Sequence, residues 1–390
     1  MNTPYFLINK SVFDGSVDKL NKAIKRFWPN TYVGYSVKSN AMPWVLQYMK
    51  SQGFYAEVVS ADEYLLAKSC GFEPSRIIYN GIAKDEATFK EAVNNGAIVN
   101  IDSWREIRWL SEMDDINVKK IGLRVNFDIE SIYPGMTAGG NDGSRFGISY
   151  ENGDIVKAID MIRQIPNVCV VGIHTHNSIP TRSLDAYCII AKKACQLIQE
   201  FKLDLDYVDV GGGFFGGMEN RPEYQDYFAI ISEVYERVLD KEKTALIVEP
   251  GMSILSEAIT YVTSVVDVKK TNRSVFVVTD GGRTHIDPMM RKQSHFYEIE
   301  LSDCDRETIP CQVVCGFSCV EGDRFFKLTD YPELKEGDII KYKKIGAYTY
   351  CSASNFIKFL PEIYLEDHNE IRLVQKGWEA EDFVSKMVSL

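Results

Sequence analysis

The stretch YVGYSVKSN, residues 32–40, decides how this chain reads. It begins as an apolar run and then places one lysine, Lys38, directly ahead of small polar residues. A structural lysine prefers a solvated face, whereas a lysine at the mouth of a buried strand can serve as a nucleophile. Working outward, runs of the same kind recur between residues 30 and 251: YAEVVS, RIIYNG, AIVNIDS, IGLRVN, VCVVGIHTH, YVDVGGG and ALIVEPG. Near-continuous apolar runs are the pattern of parallel strands buried on both faces. Helix-like segments separate them, among them ADEYLLAKSCG (61–71), KDEATFKEAVNNG (84–96) and SLDAYCIIAKKACQLIQEFK (183–202). Eight strand–helix units in series predict a (β/α)8 barrel over residues 11–252, with a doubly wound open sheet as the alternative.

The runs end in Lys38, Ser60, Asn80, Asp102, Arg124, His176, Gly211 and Glu249. In such a barrel the C-terminal ends of the strands are where chemistry sits. Beyond residue 252 the texture changes. AITYVTSVVDVKK, SVFVVTDGG, CQVVCGF and DIIKYKKIGAYTY alternate like antiparallel strands. They predict a β-sandwich or small β-barrel domain of residues 253–390, joined by residues 1–10 through the strand-like PYFLINK. The glycine-rich YPGMTAGGNDGSRFG (133–147) reads as a mobile loop over the barrel mouth.

Composition narrows the partners. The chain has 390 residues, 45% apolar and 25% charged, with a net charge of -11. That balance fits a globular protein and argues against nucleic acid or an anionic membrane as partner. No apolar run approaches the ~20 residues that span a bilayer, and MNTPYFLINK lacks the form of a secretory signal. The nine cysteines are irregularly spaced, as expected of reduced thiols in a cytoplasmic protein, and CQVVCGFSC matches no zinc spacing.

Three further motifs carry chemistry. DVGGGF (209–214) follows a strand, and its successive glycines let backbone N–H groups approach a phosphate, although such runs are also ordinary tight turns. EPG (249–251) ends the eighth run; its carboxylate can face a protonated ring nitrogen or form a salt bridge. HTH (174–176) suggests metal, but no carboxylate-plus-histidine set accompanies it in the sequence, so a stacking histidine and no metal are expected. A strand-end lysine, a glycine cradle, a strand-end carboxylate and a histidine together describe a site for pyridoxal 5'-phosphate.

With these motifs in place, the sequence resembles the fold-type III pyridoxal-phosphate-dependent decarboxylases, the group of diaminopimelate, ornithine and arginine decarboxylases. TPYFLINK, YSVKSN, SADE, SRFG, GIHTH, DVGGGF, EPG, CGFSCVEGD and GAYTYCSASNF follow in that family's order. The resemblance implies a barrel of the alanine-racemase type, an amino-acid-like substrate and a homodimer with shared active sites. It implies Lys38 as the Schiff-base lysine, His176 on the ring face, Gly211, Gly212, Gly213 and Gly251 at the phosphate, and Glu249 on the ring nitrogen. Cys319 matches the cysteine that reprotonates the product carbon in the partner's site, Tyr348 a tyrosine near the phosphate, and Asp323 an acid at the dimer interface. Ser60, Glu63 and Arg124 match positions around the cofactor.

The departures from the family concern substrate. The family's arginine after Glu-Pro-Gly is Met252 here, and its Arg-Pro-x-x-Tyr stretch is Asp287-Pro288-Met289-Met290-Arg291. The acid that follows the cysteine is Val320, with Glu321 one position late. The His-Ile-Gly-Ser pattern has become His176-Asn177-Ser178-Ile179. Arg283 and Arg291 are candidates for an acidic or conjugated substrate. The expectation is a decarboxylase of an amino acid or amino-acid conjugate in a specialised biosynthetic step, not of meso-diaminopimelate or ornithine. A racemase on the same barrel and a non-catalytic decarboxylase-like regulator are the alternatives.

Overall fold

The computed structural model describes residues 1–114 and 117–388. The chain divides into two compact units, one of Val17–Ser253 and one of Met1–Ser16 with Ile254–Leu390. Strand β1 (Tyr5–Asn9) belongs to the second unit. The first unit holds β2 (Thr31–Ser36), β3 (Tyr55–Ser60), β4 (Ile77–Ala83), β5 (Ile98–Ile101), β6 (Lys119–Asn126), β7 (Ile148–Ser149), β8 (Val168–His174), β9 (Tyr207–Asp209) and β10 (Ala245–Val248). They pair in the order β5-β4-β3-β2-β10-β9-β8-β6, and β5 also pairs with β6. Eight parallel strands therefore close into a barrel, with β7 a short addition on β6.

The apolar runs become strands because both faces are covered. β10 is buried throughout, and the last four residues of β2 are buried. Ile78, Tyr207, Ala245 and Ile247 pack as one cluster inside the barrel, with Tyr55, Ile98 and Val171 against it. Glycines make room for the large ring. A Cβ on Gly122 would lie 2.2 Å from the Tyr207 hydroxyl, and one on Gly172 would lie 2.1 Å from its Cζ. Some helices between strands start on side-chain caps, which satisfy otherwise unpaired N–H groups. Asp85 takes the N–H of Thr88, and Ser183 that of Ala186. The 133–147 stretch carries a 3-10 turn at Gly140–Asp142 and is organised around Glu130, which accepts from Gly135 N and both N and Oγ1 of Thr137.

The second unit holds β1, β11 (Ile259–Lys270), β12 (Val275–Thr279), β13 (Phe296–Glu300), β14 (Thr308–Cys315), β15 (Arg324–Pro332), β16 (Ile339–Lys343), β17 (Ile363–Asp367) and β18 (Glu370–Gln375). They form one branched sheet in the order β15-β14-β12-β11-β1-β17-β18, with β16 between β11 and β13. The alternating patterns suggested antiparallel pairing only. Two ladders are parallel, β12 with β14 and β1 with β17, because in each pair the chain returns in the same direction after a long excursion.

Candidate active site

β2 stops at Ser36, and Val37–Ser39 turn as one 3-10 helix, which presents Lys38. The Lys38 ammonium donates to Ser36 Oγ at 2.8 Å and to Glu57 Oε2 at 2.9 Å. Glu57, from the middle of β3, is 0% exposed. It also accepts from Ser36 Oγ at 2.7 Å and from Asn80 Nδ2 at 3.1 Å. Burial opposes its ionisation, but the Lys38 charge and the three hydrogen bonds prevail and hold it below the usual carboxylate range.

Asn80 Nδ2 reaches a second carboxylate, Glu249 Oε1, at 2.5 Å. Glu249 follows β10 and is buried. Burial, then the neighbouring charges of Asp209 and Glu57, push it well above the usual carboxyl range. His174 Nε2 lies 3.8 Å from Glu249 Oε2. Burial, then the charge of Arg124, keeps this imidazole neutral, well below its ordinary pKa. Asp209, His174 and Glu249 bring ligand-type atoms within 4.8 Å of one another. This corrects the expectation that no carboxylates accompany the HTH motif. The set comes from the ends of three strands that are far apart in sequence but adjacent in the barrel.

The glycines are where a side chain cannot be. Gly211 has φ +71, and a Cβ there would lie 2.4 Å from His176; a Cβ on Gly212 would lie 2.1 Å from the Glu249 carbonyl oxygen. Gly213 has φ +88, and the Tyr187 hydroxyl donates to the Gly212 carbonyl at 2.6 Å. On Gly251 a Cβ would meet Ser39 Oγ at 2.0 Å. The ring of His176 is parallel to that of His174 with centroids 6.2 Å apart. Desolvation, then the charges of Arg124 and Lys38, push His176 down to about 3, so it stays neutral. Arg124 donates to Asp102 Oδ2 at 3.1 Å and lies over Phe146.

These residues fit a pyridoxal group. A primary amine, a cradle from which any Cβ is excluded, and a deep carboxylate lie in one barrel. Beside them, Arg124 Nε, Asn177 Nδ2 and both nitrogens of His174 are buried without a hydrogen-bond partner among the described residues. The comparison with known families agrees. The family described as "Pyridoxal-dependent decarboxylase, pyridoxal binding domain" matches residues 14–256. The chain belongs to the pyridoxal-dependent decarboxylases. These enzymes are carboxy-lyases whose cofactor is pyridoxal phosphate.

Relatives of this decarboxylase include the diaminopimelate decarboxylase of Aquifex aeolicus, 25% identical over 91% of this chain and 85% of that one. The probable chloroplastic enzyme of Oryza sativa is 28% identical over 98% and 79%. In fold, the chain matches the M. jannaschii diaminopimelate decarboxylase crystallised with L-lysine (TM-score 0.86, 22% identity, 100% of this chain and 92% of that one). It also matches the Paramecium bursaria Chlorella virus arginine decarboxylase (TM-score 0.78, 19% identity, 94% and 96%).

The remaining candidates of this decarboxylase are placed as follows. In the barrel unit, Ser60 caps its helix by accepting Glu63 N at 3.2 Å, while Glu63 accepts Val59 N at 2.8 Å. Met252 opens a short helix and receives Arg182 NH2 at its sulfur, 3.2 Å away. In the sheet unit, Cys319 is exposed and lines an open cleft of ≈ 400 Å³ with Phe317, Val320 and Asp323. Asp323 is buried and accepts Arg283 N at 2.8 Å and Ser318 N at 3.0 Å. Tyr348 is exposed with φ 54. Arg283 and Asp287 are both buried and paired, and Arg283 also donates to the carbonyls of Gly322, Arg324 and Lys292. Arg291 is exposed. The sequence reading missed Glu57 and the role of Asn80. Their signal was a carboxylate and an amide inside otherwise apolar strand runs.

Proposed function

We propose that this protein removes the α-carboxylate of an amino acid or amino-acid conjugate, with Lys38 as the lysine that carries pyridoxal phosphate. Bound there, the cofactor supplies an electron sink for the pair left when CO2 departs. Gly211, Gly212, Gly213 and Gly251 would leave room for its phosphate, Glu249 would meet its ring nitrogen, and His176 would cover its face. Arg124 and Ser60 would border the site, and Tyr348 matches the family's tyrosine near the phosphate. Cys319, contributed by the partner subunit of a homodimer, delivers the proton to the product carbon. The enzyme works in the cytoplasm.

The substrate side chain differs from those of meso-diaminopimelate and ornithine. The observation that carries this reading is the buried Arg283–Asp287 pair. It sits in the stretch where the family keeps an arginine for the distal carboxylate, and here the charge is neutralised internally. Met252 replaces the family's other carboxylate-binding arginine, and Val320 offers no charge to a distal amine. An unpaired charge left in a closed pocket costs several kcal/mol, so such changes discriminate strongly. The names of the relatives favour a second reading, diaminopimelate itself.

The test is CO2 release over a panel of diaminopimelate, ornithine, lysine, arginine, acidic amino acids and amide-conjugated amino acids. A kcat/KM for diaminopimelate or ornithine above ~10^4 M⁻¹s⁻¹, within the ordinary enzyme range, overturns the proposed substrate class. Lys38→Ala protein is expected to lose both turnover and the visible absorbance of bound cofactor. Normal turnover in that variant overturns the cofactor assignment.

A further inference from the structure

The barrel holds a continuous polar chain that no role so far explains. Read from the carboxylates outward, its direction is set by chemistry. An ionised Glu57 only accepts, so Asn80 must turn its amide nitrogen toward it. The same nitrogen serves Glu249, at 2.5 Å, so both of its hydrogens are used on two carboxylates. The Asn80 carbonyl oxygen then faces Asn100, whose Nδ2 donates to it at 2.8 Å. The Asn100 oxygen in turn receives the Tyr207 hydroxyl at 2.8 Å. Asn80 and Asn100 are 2% and 1% exposed, so solvent does not disorder this chain.

We propose that Glu57 is the group that exchanges a proton with Lys38, and that Asn80 positions Glu57 and Glu249 together through its single amide nitrogen. The inference rests on the reading of Lys38 as the cofactor lysine. The step is a simple transfer. An N–H bond of the Lys38 ammonium breaks, an O–H bond forms at Glu57 Oε2, and an ion pair becomes a neutral amine and a neutral acid. The return transfer restores the pair, and no other reagent is needed. An amine must be neutral to act as a nucleophile, and the Glu57 carboxylate accepts from the ammonium at 2.9 Å, beside Ser36 Oγ at 2.8 Å. Ser36 both receives Lys38 and donates to Glu57, which fixes the carboxylate oxygen that the lysine meets. An amide at position 80 holds the two carboxylates without itself taking a proton, so the charge at the lysine end and at the Glu249 end is set separately.

Other titratable groups that feel the Lys38 charge are Glu63 on the following helix, His174 at the end of β8, His176 just after it, and Glu249 across the barrel. The two histidines stay neutral, and the Glu57 carboxylate is hydrogen-bonded to the lysine at 2.9 Å.

The experiment uses the purified holoenzyme. Borohydride reduction and peptide mass analysis first establish whether the cofactor is on Lys38. If it is elsewhere, the reading of the site fails whatever Glu57 does. If it is on Lys38, the visible band is titrated with pH in wild type, Glu57→Gln, Glu57→Asp and Asn80→Ala. Loss of the Glu57 charge is expected to lower the titration midpoint by about one pH unit or more. It should also cut kcat roughly 10²-fold with little change in KM. Glu57→Asp keeps the charge and is expected to restore the midpoint. Asn80→Ala is expected to move the midpoint and to lower kcat roughly tenfold, since a hydrogen bond to each of two carboxylates is lost. An unmoved midpoint and an unchanged kcat in Glu57→Gln overturn the proposal. If that variant does not fold, Asn80→Ala decides: wild-type titration and kcat there overturn it equally.

Discussion

Asp209 shows how far one residue's environment departs from what its sequence context announces. It reads as the start of a glycine turn, yet it is 0% exposed, accepts Gly211 N at 2.9 Å and lies beside Glu249. Burial is the main cause that raises its carboxyl to about 7. A group raised in the folded state contributes stability that is present below its unfolded pKa and lost as pH rises through the folded value. The melting temperature of wild type is therefore expected to fall relative to that of Asp209→Asn between about pH 4 and about pH 7. Calorimetric melts of both proteins across that range check it, and parallel curves would contradict the assignment. At this scale the sequence was legible where a residue ends a run. Lys38, Gly211 and Glu249 stand out because an apolar pattern stops at them. Glu57 was hidden because a carboxylate inside YAEVVS looks like a residue on a solvated face, and only closure of the barrel turns it inward.

Among the elements, β9 contributes only three residues to the barrel, and its Tyr207 does more packing than any strand length would suggest. The ring takes the space left by Gly122 on β6 and Gly172 on β8, and its hydroxyl anchors Asn100 on β5. Tyr207→Phe keeps the ring but strands the Asn100 oxygen, a loss expected to cost roughly 1–3 kcal/mol. Gly172→Ala overfills the same space and is expected to destabilise by about 1–3 kcal/mol. Because the two act on one ring, their combined effect in chemical denaturation should depart from the sum. The eight runs were readable as strands because burial on both faces leaves a continuous apolar signature. Closure was expected from the count of eight units in series and is borne out where β5 and β6 meet, although no periodicity records that pairing. The two parallel ladders of the second sheet were not readable, because alternation reports which face a residue takes and not the direction of its neighbour.

For the whole molecule, Lys38 and Cys319 fall in different units of the chain. If each active site draws them from two subunits, mixing inactive Lys38→Ala with inactive Cys319→Ala protein restores activity. The hybrid dimer then has one site with both residues intact. No recovery despite proven subunit exchange would rule out shared sites. The sheet unit carries a consequence of another kind, which concerns time. β1 lies between β11 and β17 and is the link that joins the β17–β18 pair to the rest of the sheet. Asn9 and its partner Glu366, hydrogen-bonded at 2.9 Å, are 357 positions apart. A ribosome adding roughly 5–20 residues per second needs about 20–70 s to cover that distance. The barrel's strands are all made by Val248 and can pair among themselves, while the apolar YFLIN segment waits as an unpaired edge. Completion of the sheet thus waits on β17, whose Glu366 lies 357 positions beyond its partner Asn9 on β1.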